Sequence, residues 1–349
     1  MPDPAAIAAP LLAWYDRHGR DLPWRRTKDP YRIWVSEIML QQTRVETVKP
    51  YYARFLERYP TVHALADADD EEVRASWAGL GFYRRARHLH AAAKAVSAAG
   101  GEVPTSVEGI LQLPGVGRYT AGAILSSAHD AKVPILDGNV IRVLSRLFRV
   151  EGPPDKAAVQ RRLWGLAEEV LPDRRPGDFN QAQMDLGATV CTPVGPTCGA
   201  CPLAEVCATG PSGDAEDYPS PGRRQKVKFI TRVALRIDDG DRFLLRRRPA
   251  EGLLGSLWTL PAVETEPTIE AVEELAGSFG CRDRPTFAHV AEHRFSHRHW
   301  TTHVYVVSAA GAVASDGDRW VTEADLDGMG VPTAARRELR GTKSLVSAE

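Results

Sequence analysis

The sequence predicts two domains of different class, an all-α domain followed by a smaller α+β domain. Three observations carry this. The chain has 349 residues, and at roughly 100–200 residues per domain that length suits two cores. Apolar residues recur at helical spacing through the first part of the chain and at strand spacing beyond residue 227. Between them lies TGPSGDAEDYPSP, Thr209 to Pro221, whose Gly, Pro, Ser and acidic residues show no period and mark a linker. The expected boundaries are 1–208, a linker over 209–226, and 227–349.

Composition narrows the classes. Charged residues at 26% and hydrophobic residues at 43% match a soluble globular chain and exclude disorder, collagen-like repeats and coiled coil. No run approaches the ~18 apolar residues of a membrane span. Met1 to Pro10 has no basic region ahead of its Ala-rich stretch, so a cytoplasmic location is expected. The net charge of 44 − 45 = −1 excludes a uniformly basic surface, and any nucleic-acid contact must come from local patches.

Helical patterns run over 14–17, 33–45, 51–59, 71–77, 84–99, 121–129 and 140–148. The second is the most informative. It begins after Asp29-Pro30, and Glu37 interrupts its apolar face beside Ile33, Trp34, Leu40 and Gln41. Burial there raises a carboxyl pKa and keeps it protonated, fit to be a general acid. The structural alternative is a helix-edge Glu paired with Arg25, Arg26 or Arg44.

LPGVGRYTAGAIL follows at 113–125. Pro114, Gly115 and Gly117 form a tight turn directly before a helix, which exposes backbone N–H groups able to hold a phosphate. A helix–helix connection is the plainer reading of a bare GxG. About twenty residues on, LDGNVIRVL places Asp137 as the N-cap of another helix, whose dipole favours the ionised carboxylate. An ionised Asp opposite a protonated Glu is the division of labour that cleaves glycosidic bonds.

Four of the five cysteines fall in C-x6-C-x2-C-x5-C: Cys191, Cys198, Cys201 and Cys207. In a long cytoplasmic chain this is a metal site rather than a disulfide framework. Only one pair is closely spaced, and spacing leaves zinc and an iron–sulfur cubane both open. Downstream, 227–237, a turn at Asp239-Gly240, 242–248 and 302–309 read as strands with a hairpin. Five of the ten histidines lie between His289 and His303.

Together the Pro-Gly-Val-Gly hairpin, Asp137 and the cysteine loop resemble the helix-hairpin-helix DNA glycosylases of the endonuclease III superfamily, over about residues 7–210. SEIMLQQTRVETV, with Glu37, is similar to the adenine-glycosylase (MutY) branch. The resemblance implies a [4Fe–4S] cluster on the four cysteines and double-stranded DNA carrying 8-oxoguanine:A or G:A mispairs as partner, bound by a monomer. It assigns Glu37 to protonate adenine, Asp137 to stabilise the oxocarbenium-like sugar, and Tyr119 and Asn139 to complete the site. Bifunctional relatives carry a catalytic Lys at the position of Tyr119, so a monofunctional enzyme is implied rather than a glycosylase/AP lyase. A non-catalytic iron–sulfur DNA-binding protein would leave Glu37 and Asp137 unexplained.

The same resemblance places Arg20, Trp24, Arg25, Leu40 and Gln181 around the flipped adenine. Gln42, Phe82 and Tyr83 then wedge into the base stack, with Phe82 standing where relatives often have Tyr. Residues 227–349 resemble a Nudix-like domain, but the G-x5-E-x7-REUxEExGU box is missing, so binding rather than hydrolysis is implied. Within it, Phe295, Ser296 and His297 resemble the loop that reads 8-oxoguanine. The alternative for this segment is a His-rich strand end or an adventitious metal site.

Overall fold

The computed structural model describes residues 3–210, 212–222 and 226–341. The helical run comprises α1 (Pro4–His18), α2 (Pro30–Leu40), α3 (Val45–Arg58), α4 (Val62–Ala66), α5 (Asp70–Ser76), α6 (Arg84–Ala98), α7 (Val107–Leu111), α8 (Arg118–His129), α9 (Gly138–Leu147), α10 (Ala157–Glu169) and α11 (Pro176–Thr189). Then come β1 (Lys228–Asp239), β2 (Arg242–Arg247), β3 (Trp258–Thr259), β4 (Ala262–Val263), α12 (Ile269–Ser278), β5 (Thr286–Arg294), β6 (Arg298–Ser308), β7 (Asp318–Val321) and α13 (Thr333–Arg340). The expected order, helices first and a mixed α+β part second, is what the chain adopts. Among the described residues no helix is long and apolar enough to cross a membrane.

The chain divides into two compact units, one of Met1–Ala66 with Ala91–Arg224, the other of Asp67–His90 with Gln225–Glu349. The first packs α1, α8, α9, α10 and α11 around Leu11, Val140, Leu144, Leu163, Phe179 and Leu186. Helix α11 is the axis, buried from Pro176 to Gly187 except at Asp178. A helix buried on all sides has no polar face, and so no 3.6-residue period to detect in sequence. Gly187 lets it pass close to α9, because a Cβ there would stand 2.6 Å from the Asn139 Cβ.

One expected helix is shorter than its pattern. The run over 33–45 ends at Leu40, and Gln42 takes a left-handed φ of 57° before α3 begins at Val45. The stretch from Thr209 onward is packed rather than bare. Thr209 and Ala215 are buried, and Arg149 holds the Ala208 carbonyl at 2.9 Å and the Ser212 hydroxyl at 2.7 Å.

In the second unit the sheet order is β3-β2-β1-β6-β5, with β4 added to β1 and β7 to β2. β1 and β6 pair in parallel from Lys228–Arg298 to Asp238–Ser308, while the other pairs are antiparallel. Alternation along β1 sends Val233, Leu235 and Ile237 under α12, where Val272, Ala276 and Phe279 meet them. Ala234 faces the other way, into the core that includes Val304, Ala335 and Leu339. The β5–β6 connection is Phe295-Ser296-His297, closed by the Phe295 N–H donating to the Arg298 carbonyl at 2.7 Å.

Candidate active site

Helix α2 begins at Asp29, whose side chain accepts from the Tyr31 N–H at 2.9 Å, with Pro30 pre-set at the first helical position. Everything from Ile33 to Met39 is buried. Glu37 therefore lies inside the protein at 4% exposure. Tyr119, in the first turn of α8, donates its hydroxyl to Glu37 Oε2 at 2.9 Å. The carboxyl is pushed up to about 7, chiefly by burial; the Tyr119 bond pulls it down, the nearby Asp137 carboxylate pushes it further up, and Arg25 lowers it slightly. It is therefore poised to hold a proton near neutral pH.

The three arginines that offered a structural pairing for Glu37 do not supply one. Arg25 grips Asp185 through two bonds of 2.7 and 2.8 Å, Arg26 is joined to Asp21, and Arg44 stands at the N-cap position of α3 without a side-chain capping bond.

Asp137 caps α9, accepting from the Val140 N–H at 2.7 Å and the Asn139 amide at 3.1 Å. Burial raises its carboxyl above the usual range, and the Val140 and Asn139 bonds oppose that rise. The cap thus restrains the carboxyl pKa without winning outright. From Asn139 the bonds continue: Arg142 donates to Asn139 Oδ1 at 2.8 Å and to the Cys191 carbonyl at 2.7 Å. The Asp137 cap and the cysteine loop are thus linked by one arginine.

Arg20, Arg25 and Gln181 meet in a single network. Asp185, fully buried on α11, accepts from Arg20 Nε at 2.7 Å as well as from Arg25. Arg25 Nε donates to the Gln181 side-chain oxygen Oε1 at 2.7 Å, and Gln181 Nε2 donates to the Ser127 hydroxyl at 3.1 Å. Trp24 is buried, edge-on to Tyr52 at 5.4 Å. Leu40 is half-buried at the end of α2.

In the hairpin, Gly115 has a φ of 79°, which favours glycine, and Gly117 caps α8 with no atom within 4 Å of a would-be Cβ. Both are exposed. Gln42 and Phe82 are among seven non-glycine residues, among the described residues, that hold left-handed backbone; Phe82 has a φ of 49° and is 46% exposed. Non-glycine residues held there cluster at functional sites. Tyr83 instead points inward, buried, its hydroxyl accepting from the Gly79 N–H at 3.3 Å. In the β5–β6 hairpin, Phe295 packs edge-on to Trp300 at 4.8 Å, while Ser296 and His297 are exposed.

The four cysteines line one cavity with Arg146 and Thr209. Arg146, itself buried, donates to Cys191 Sγ at 3.4 Å and to the Thr192 carbonyl at 2.7 Å. Burial pushes the Cys201 thiol up to about 11 and raises Cys191 as well. Among the described residues no three His, Cys, Asp or Glu side chains converge as ligands of a single ion would.

Asp185, Arg142 and Arg146 were not picked out from the sequence. Arg146 and Asp185 are buried by the packing of α9 and α11, and the polar residues beside Asp185 leave no apolar face for it to interrupt in the sequence.

Comparison with known proteins agrees with this arrangement. Residues 35–169 match the HhH-GPD superfamily of base excision DNA repair proteins, and residues 232–340 match a NUDIX domain. An adenine DNA glycosylase of Homo sapiens is 36% identical over 96% of this chain and 73% of its own length. One from Schizosaccharomyces pombe is 32% identical over 92% of this chain and 86% of its own. A thermostable thymine-DNA glycosylase structure superposes with a TM-score of 0.55 at 31% identity, covering 60% of this chain and 97% of that one. With Glu37, Tyr119 and Asp137 gathered on a helix-hairpin-helix scaffold and a Nudix-like sheet following it, the chain belongs to the adenine DNA glycosylase family.

Proposed function

We propose that the protein hydrolyses the N-glycosidic bond of adenine mispaired with 8-oxoguanine or guanine in duplex DNA, leaving an abasic site. The observation that carries this is Glu37, a buried carboxyl whose proton affinity lies near 7 beside Asp137. Adenine must first leave the stack. Glu37 then gives its proton to a ring nitrogen, and the electrons of the C1′–N9 bond pass to the departing base. The positive charge left on the sugar is offset by the Asp137 carboxylate. Water adds its oxygen to C1′ and its proton passes to a carboxylate.

Tyr119 holds Glu37 in place but is no amine, so no Schiff base forms at that position. The structural bonds of Arg25 to Asp185 and Gln181 support a walled pocket next to Glu37. Gln42, Phe82 and the Phe295-Ser296-His297 hairpin serve as wedge and lesion reader, each exposed or half-exposed on a tight backbone turn. The protein acts as a monomer.

Cys191, Cys198, Cys201 and Cys207 would hold a [4Fe–4S] cluster. Zinc needs four sulfurs within ~2.3 Å of one ion, whereas a cubane takes one sulfur per iron. Four cysteines lining one shared cavity, on a chain of this family, support the cluster. The cluster would be held by the four cysteine thiolates and would cross-link the loop.

The test of the reaction class is a time course on an 8-oxoguanine:A duplex, divided into untreated, alkali-treated and borohydride-treated samples. Strand breaks only after alkali, with no trapped protein–DNA adduct, are the expected result. Breaks without alkali together with a trapped adduct would make the protein a lyase.

A further inference from the structure

Phe82 and the Phe295-Ser296-His297 hairpin lie far apart in sequence yet in the same compact unit. A single carboxylate does much of the joining. Glu71, in the first turn of α5, accepts from the indole N–H of Trp258 on β3 at 2.9 Å and from Arg319 on β7 at 3.2 Å. Trp258 is buried, so its N–H needs an internal acceptor, and Glu71 supplies it. Arg319 lies over the Trp258 ring at 4.8 Å.

Two further contacts flank this clasp. Arg87 donates to the Ala250 carbonyl at 3.0 Å. Gly330, whose carbonyl accepts from the Trp258 backbone N–H at 3.1 Å, approaches so closely that a Cβ would stand 3.2 Å from the Arg74 Cβ.

From α5 the connection runs on to the wedge. Trp77, fully buried at the C-cap of α5, donates its indole N–H to the Gly81 carbonyl at 3.1 Å. The Arg85 guanidinium stands 5.5 Å from the Trp77 ring and 5.3 Å from the Phe82 ring, and donates to the Gly81 carbonyl at 3.0 Å. Phe82 is thus exposed but not loose, and its support ends on the sheet that carries the hairpin.

We propose that Glu71 is a positioning residue that fixes the Phe82 wedge and the Ser296 hairpin on one rigid body, so that stacking and lesion reading act as a unit. This rests on the assignment of both segments to the DNA lesion. The Glu71–Arg319 pair, with Arg319 half-exposed, contributes little by itself. The bond to the buried indole is the stronger element, because its loss strands a buried donor.

Hydrogen exchange on the free, full-length protein tests the mechanical part. Glu71→Ala is expected to speed amide exchange over residues 78–83 by roughly tenfold, and Trp258→Phe, which keeps the ring and removes the donor, to do the same. Glu71→Gln retains an acceptor and is expected to restore protection. Ser296→Ala is expected to leave that segment unchanged.

The functional part is a double-mutant cycle of Phe82→Ala and Ser296→Ala, read as the ratio of single-turnover rates on 8-oxoguanine:A and G:A duplexes. Non-additivity of at least about threefold is expected with Glu71 present and none in the Glu71→Ala background. Unchanged exchange in both Glu71→Ala and Trp258→Phe, or coupling that persists without Glu71, overturns the proposal. No adenine release from any duplex would instead defeat the functional reading, while the exchange result would still decide whether Glu71 holds the wedge.

Discussion

In the proposed mechanism Glu37 couples function to stability through one titration. Its carboxyl is raised by burial from 4.5 to about 7. A raised acid contributes stability that is fully present below 4.5 and is lost as pH rises to about 7, an amount of about 3 kcal/mol at 1.36 kcal/mol per unit. Glu37→Gln removes that penalty, so at pH 8 the variant is expected to match or exceed the wild type in urea unfolding by up to about 3 kcal/mol, and to lose the advantage near pH 4. Parallel stability–pH curves for the two proteins would contradict the burial argument. The single-turnover rate of the wild type is expected to fall as pH rises past about 7, as the acid loses its proton. Asp185 behaves oppositely: burial pushes its carboxyl up, but the bonds from Arg25 and Arg20 win and hold it below 3.8. Its contribution is present above that value and is lost as pH falls. Asp185→Asn is expected to cost about 3 kcal/mol in unfolding measurements at pH 7, because two arginines lose a buried partner. Glu37 was legible in the sequence because an acid broke an apolar face. Asp185 was not legible in FNQAQMDLG, because Asn180, Gln181 and Gln183 beside it leave no apolar face for an acid to break, and α11 is buried all round.

At the scale of elements, the hairpin and the capped helices were readable because turn chemistry is local. Asp29-Pro30 starts α2 and Asp137 starts α9 where the sequence placed them. Helix α11 was hidden by uniform burial, and α2 ends at Leu40 because Gln41 leaves the helix with a ψ of 112° and Gln42 then turns left-handed, which no residue preference announces. The left-handed positions at Gln42 and Phe82, both proposed wedges, show where local rules yield to tertiary context. The cysteine loop is held partly by Arg146 and Arg142, which reach its sulfur and carbonyls from α9. Purified protein is therefore expected to be brown with about four irons per chain. Cys198→Ser is expected to lose the iron and to lower the melting temperature, checked by metal analysis and calorimetry on the same sample. Colourless protein with one zinc per chain and full activity would reject the cluster.

At the scale of the whole molecule, the change from helical to strand period was visible, but the assignment of Asp67–His90 to the second compact unit was not. That grouping depends on Trp258, Arg319 and Ala250 meeting α5 and α6 across long sequence separations, which no local pattern encodes. Deleting residues 222–349 therefore strips Glu71 and Arg87 of their partners as well as removing Ser296. The truncated chain is expected to melt at a lower temperature, to retain adenine excision from G:A, and to lose preference for 8-oxoguanine by about one to two decades. An unchanged rate ratio would remove the second unit from lesion reading. The central claim is that a buried, protonated Glu37 drives base loss, and single-turnover adenine release from an 8-oxoguanine:A duplex by wild type and Glu37→Gln tests it most directly. A loss of more than about two decades in rate with DNA binding retained is expected, and near-normal excision by Glu37→Gln would contradict it.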